Sequence, residues 1–162
     1  MVTTFWKFAS VTLATCLGIG RSPIAPGTVG SLAAAIVAIP IVSFGGVAAL
    51  GMAAAIATVV GIPIAATAER AMNRKDPGSI VIDEFAGQWL ALLPAGVDLG
   101  GWVLGFAAFR LFDVWKPGPV GWADRRLGGG LGIMLDDVIA GLLAAGLVAV
   151  AEPYLPATVR LF

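Results

Sequence analysis

Residues 131–151 read LGIMLDDVIAGLLAAGLVAVA, an apolar run broken only by Asp136 and Asp137. The run has about the twenty residues that a helix needs to cross a bilayer core. A carboxylate in such a segment costs about 2.5–3.5 kcal/mol when central and less near an interface. Residues retained at that cost usually face the interior of a helix bundle and mark a functional site.

Working outward, four more apolar stretches lie between turn signals, at 29–44, 47–68, 80–97 and 99–115. Gly45-Gly46 separates the first pair, and Asp98-Leu99-Gly100-Gly101 the third from the fourth. Both breaks suit tight antiparallel helical hairpins. Longer polar loops are expected at 69–79 and 116–130. A further apolar stretch, 5–19, precedes a Pro- and Gly-rich segment and reads as a re-entrant or interfacial helix. The pattern predicts an all-α polytopic membrane bundle of about five transmembrane helices, forming one domain over 1–162.

Composition agrees. The chain is 59% hydrophobic and 12% charged, with a mean hydropathy of +0.95. A soluble domain carries about 25% charged residues. The net charge is zero, so no nucleic-acid partner is expected. Histidine is absent, which excludes His metal ligands, a Ser-His-Asp triad and a phosphohistidine intermediate. Cys16 has no second cysteine to pair with and reads as a small core residue. No convincing secretory signal opens the chain, and nothing points to an oligomeric state.

Alternating spans place Arg21, Arg70, Arg74, Lys75, Arg110, Lys116, Arg125 and Arg126 on one side, with Arg160 on the other and Lys7 unassigned. By the positive-inside rule the basic side is cytoplasmic. Trp115 and Trp122 are expected near that interface and Trp102 near the opposite one. Asp83 and Glu84 then open the third span at the cytoplasmic end, Asp113 closes the fourth there, and Asp136 and Asp137 open the fifth. Three helices thus bring five of the ten acidic residues to one depth.

Five like charges at one place repel. A hard divalent cation relieves that, and all-oxygen ligation suits Mg²⁺ or Mn²⁺. Asp83, Glu84, Asp113, Asp136 and Asp137 are therefore candidate metal-ligating and catalytic residues. Arg110, three residues before Asp113 and on its helix face, Lys116 and Arg21 are candidates for binding a phosphate group. Gly27, Thr28 and Ser31, in the segment 22–31 that leads into a helix, offer backbone N–H groups and hydroxyls to an anion. Gly87 and Gly141 are small enough to let neighbouring helices approach closely.

Plainer readings compete. Asp83 or Asp136 could cap a helix. Asp113 could serve only to pair with Arg110 or Lys116, and 22–31 could be an ordinary loop. Arg70, Arg74 and Lys75 fit headgroup anchors, Arg125 and Arg126 fit either role, and Trp89 fits packing. Caps alone do not account for acidic pairs on two helices and an Arg-Asp pair on a third.

Four segments, APGTVGS at 25–31, DPGSIVIDEFAGQW at 76–89, FRLFDVWKPGP at 109–119 and GGLGIMLDDVIAG at 129–141, make the chain resemble the phosphatidylglycerophosphatase A family from about residue 18 to 151. The resemblance implies a Mg²⁺-dependent phosphatase of the bacterial cytoplasmic membrane. Its substrate would be an anionic phospholipid, phosphatidylglycerophosphate, and its products phosphatidylglycerol and inorganic phosphate. The competing class is an ion- or proton-coupled transporter, which predicts acids spread through the bilayer depth. A lipid alcohol phosphotransferase is the other, but its D-G-x-x-A-R signature is missing.

Overall fold

The computed structural model describes residues 2–155; Arg160, assigned above to the far side, lies outside the described residues. The described chain is helical, with no strand: α1 (Val2–Ala14), α2 (Pro26–Met72), α3 (Ile82–Leu92), α4 (Leu99–Trp115), α5 (Gly118–Arg126) and α6 (Gly129–Ala151). Short 3-10 turns occupy Ile19–Arg21, Leu93–Ala95 and Glu152–Tyr154.

The first two apolar stretches form α2, which is broken at Gly46, where φ is 69° and ψ is −178°. Only glycine takes that combination readily. The two halves run antiparallel, as their neighbours show. Gly27 abuts Glu84 at the start of α3, Ala38, Val42 and Leu50 pack with Leu92 at its end, and Ala65 and Ala68 return to Ile80. The expected hairpin at Gly45-Gly46 is therefore present.

α3 is shorter than the stretch 80–97 suggested. Its 11 residues span only about 16 Å at 1.5 Å per residue, half of a bilayer core of about 30 Å. It lies at the centre of the molecule, against α2 and α6 with α4 alongside, and Asp83 through Gln88 are all buried. A helix wrapped by others is apolar on every side, so its sequence imitates a span without the length of one. α1, at 13 residues, is likewise too short to cross, and its last residue accepts a backbone hydrogen bond from Val81.

One other expectation is corrected. The segment 116–130 is not simply a loop, because it contains α5. Lys116 and Gly118, with φ of 50° and 42°, end α4, and Pro119 in the first turn favours a new helix start. Trp102 is buried, and its indole N–H donates to the Gly96 carbonyl at 2.9 Å. Trp115 and Trp122 are exposed.

Small residues dominate the interior. Gly87 and Gly141 let α3 and α6 touch backbone to backbone, since a Cβ on Gly141 would strike the Gly87 carbonyl. The outer surface is apolar, with Phe44, Val59, Val114 and Val150 exposed. Two helices, Pro26–Met72 and Gly129–Tyr154, are long and apolar enough to cross a membrane.

Candidate active site

The first turn of α3 carries Asp83 and Glu84, while its N-cap is Val81, which makes no side-chain cap. Asp83 therefore does not cap the helix, although its Oδ1 accepts from the Glu84 N–H at 3.0 Å. α6 begins at Gly129, so Asp136 and Asp137 lie two turns inside it rather than opening it. That removes the capping alternative for Asp136. The glycine contact between α3 and α6 brings Asp137 beside the α3 acids. Carboxylate oxygens of Asp83, Glu84 and Asp137 all lie within 4.8 Å of one another, and all three residues are buried.

Two basic residues flank this group. From α4, Arg110 Nη1 reaches Asp113 Oδ2 at 2.7 Å and donates to Ser31 Oγ at 3.3 Å. Ser31 in turn donates to the Gly27 carbonyl at 2.8 Å. The Asp113 carboxylate lies near enough to Asp137 for the two charges to interact, so α4 borders the cluster. Lys116 pairs not with Asp113 but with Asp136 Oδ2 at 2.7 Å and Asp124 Oδ1 at 2.5 Å. Partial burial alone would lower the pKa of that ammonium, but the hydrogen bonds and charges of Asp124 and Asp136 outweigh it and raise the pKa.

Gly27 and Ser31 are not loop residues; they belong to the first turns of α2, which starts at Pro26 without a side-chain cap. A Cβ at Gly27 would collide with Glu84 Oε1 and come within 3.2 Å of both terminal nitrogens of Arg110. The absent side chain thus lets the positive end of the α2 dipole approach an acid and a guanidinium. Thr28 is exposed. Arg21 is exposed too, and makes no ion pair among the described residues. It lines a separate cleft of 140 Å³ with Phe8, Thr12, Thr15, Leu17 and Gly18.

The buried side-chain atoms without a partner among the described residues are Glu84 Oε2, both polar atoms of Gln88, Arg110 Nε and Asp136 Oδ1. All belong to the cluster or to the turn of α3 below it. Buried polar atoms are normally satisfied, so their concentration here fits a site that takes its partners from a ligand, an ion or water. A pocket of 280 Å³ opens beside it, with Asp136 as shared wall and Glu69, Lys75, Asp76, Asp124 and Arg125 among its lining.

Residues 12–152 match the family Phosphatidylglycerophosphatase A. The chain belongs to the phosphatidylglycerophosphatase A family. Similar proteins of that name occur in Escherichia coli, 40% identical over 84% of this chain and 79% of that protein, and in Haemophilus influenzae, 38% identical over 82% of each. A Bacteroides thetaiotaomicron protein provisionally named a phosphatidylinositol-3-phosphatase is 38% identical over 90% of this chain and 95% of its own length. No solved structure matches.

In this member of the phosphatidylglycerophosphatase A family, the match covers every expected acid and both Arg110 and Lys116. Sequence reasoning missed two residues. Asp124 lies on α5, inside a segment read as loop, and no periodicity marked its approach to Lys116. Gln88 did carry a signal: it is a polar residue four positions after Glu84, hence on the same face of a buried helix.

Proposed function

We propose that this chain hydrolyses the terminal phosphomonoester of phosphatidylglycerophosphate to phosphatidylglycerol and inorganic phosphate, with Mg²⁺ as cofactor. The observation that carries this reading is the buried Asp83–Glu84–Asp137 group within 4.8 Å, in a chain of this family. The donors fit a hard divalent cation, being all oxygen and buried. Asp83, Glu84 and Asp137 would hold the ion, with Asp113 and Asp136 as flanking acids. When bound, it supplies charge stabilisation at the phosphoryl group and a more acidic water.

The chain's own groups do the rest. Arg110, held by Asp113 and Ser31, neutralises charge on the phosphoryl oxygens together with the open first turn of α2. Lys116 fixes Asp136 and separates it electrostatically from its neighbours. Water adds to phosphorus in line as the P–O bond to glycerol breaks. Its proton passes to a carboxylate of the cluster, and the leaving alkoxide is protonated from solvent. The pocket of 280 Å³ has the polar lining suited to the glycerol headgroup, with the basic residues Lys75 and Arg125 in its wall.

The setting proposed is the bacterial cytoplasmic membrane. The two halves of α2, with α4 and α6, cross it as a multi-pass bundle around α3, and the acids lie at the cytoplasmic end. The apolar outer surface and the basic residues gathered in the connections 69–79 and 116–130 support that orientation. The test is phosphate release by purified protein in mixed micelles. Release from phosphatidylglycerophosphate at least tenfold faster than from phosphatidic acid supports the assignment. A preference for a phosphoinositide would overturn it.

A further inference from the structure

Gln88 is fully buried, and neither its Oε1 nor its Nε2 has a partner among the described residues. It lies one helical turn below Glu84, whose Oε2 is also buried and unpartnered. Residues four apart on a helix face one another, yet no direct hydrogen bond joins these two. The next residue before Gln88 is Gly87, where α3 meets the Asp137 carbonyl, so Gln88 sits where the acidic group gives way to apolar core. An amide with both ends unsatisfied is a poor choice for packing, since each buried polar group left unpaired costs about 1–3 kcal/mol. An aliphatic side chain of that size would serve better.

We propose that Gln88 is a positioning residue which, together with Glu84 Oε2, holds the water that attacks phosphorus. A bound water needs two to four polar partners. The Gln88 Oε1 accepts one of its protons and Glu84 Oε2 the other, which aims an oxygen lone pair out of the helix toward the substrate. As the oxygen bonds to phosphorus, the P–O bond to the leaving glycerol breaks, the water's proton passes to a carboxylate of the cluster, and the alkoxide takes a proton from solvent. The proposal rests on the phosphatase reading above and adds the residue that orients the nucleophile.

Three proteins test it: wild type, Gln88→Met and Gln88→Glu. Melting temperatures are measured without divalent cation, and kcat and KM with phosphatidylglycerophosphate and Mg²⁺. Gln88→Met keeps the volume and removes both unpaired atoms. Its melting temperature should equal or exceed that of wild type while kcat falls at least tenfold and KM stays within twofold. Gln88→Glu keeps an accepting oxygen, so it should retain at least fivefold more kcat than Gln88→Met. A structural amide predicts the reverse: Gln88→Met melts lower or does not fold, and any loss of activity follows the folded fraction. That result, a Gln88→Met kcat within twofold of wild type, or a folded Gln88→Glu no better than Gln88→Met would overturn the role. Absence of turnover by wild-type protein would instead sink the phosphatase reading itself.

Discussion

Gly141 and Gly87 face each other so closely that a Cβ on the first would strike the carbonyl oxygen of the second. That contact between α6 and α3 sets the distance between Asp137 and the pair Asp83–Glu84, because all are on the same two helices within about one turn of the crossing. The backbone carbonyl has no rotamer by which to yield. Gly141→Ala should therefore lower stability by about 1–3 kcal/mol, the usual cost of overpacking, and reduce turnover by more than the loss of folded protein explains. Thermal unfolding and specific activity on the same preparation check this.

Asp83→Asn, Glu84→Gln and Asp137→Asn should each lower kcat at least a thousandfold without loss of folded protein. Each removes one member of a like-charged group, so metal-free stability should be unchanged or higher. Glu152→Gln, at the other end of α6, should leave both quantities unchanged. Circular dichroism melts and initial rates distinguish the two sets.

Lys116→Met should be more harmful than Asp124→Asn. The first leaves Asp136, with a side chain only 9% accessible, without its cation. The second leaves Asp136 paired and removes only the half-exposed partner. A charged hydrogen bond is worth about 1.5–3 kcal/mol, so Lys116→Met should cost that order of stability and at least tenfold in turnover. Parallel denaturant titrations and kinetics give the comparison.

Arg110→Lys keeps the charge but loses the second terminal nitrogen, so that one ammonium must serve Asp113 and Ser31, which Nη1 alone now holds, as well as a phosphate. A fall of about 10- to 100-fold in kcat/KM is expected, the equivalent of about 1.4–2.8 kcal/mol. Wild-type kcat/KM in that variant would remove Arg110 from phosphate binding.

The acids were legible in the sequence because charge in apolar helices is expensive and therefore conspicuous. Asp83, Glu84 and Asp137 were expected together and do meet, and the Gly45-Gly46 break was readable because glycine marks the reversal. The length of α3 was not readable. A helix enclosed by protein and one enclosed by lipid select the same residues, so the stretch 80–97 looked like a span. α5 was hidden for the opposite reason: Trp122, Asp124, Arg125 and Arg126 are polar or surface-type residues whose helix depends on where Lys116 and Gly118 stop α4. With α5 unseen, the Lys116 partners Asp124 and Asp136 were not legible. Arg21 was grouped with the phosphate-binding residues on charge alone, and its place in a separate cleft depends on the fold of α1.

The most direct test of the carboxylate site is the Mg²⁺ dependence of phosphate release from phosphatidylglycerophosphate, measured for wild type and for Asp137→Asn in the same micelles. The account predicts release by wild type that saturates with Mg²⁺ and stops on chelation, with Asp137→Asn folded but inactive at every Mg²⁺ concentration. Release by wild type that persists after complete removal of divalent cations, or near-normal turnover by Asp137→Asn, would contradict it.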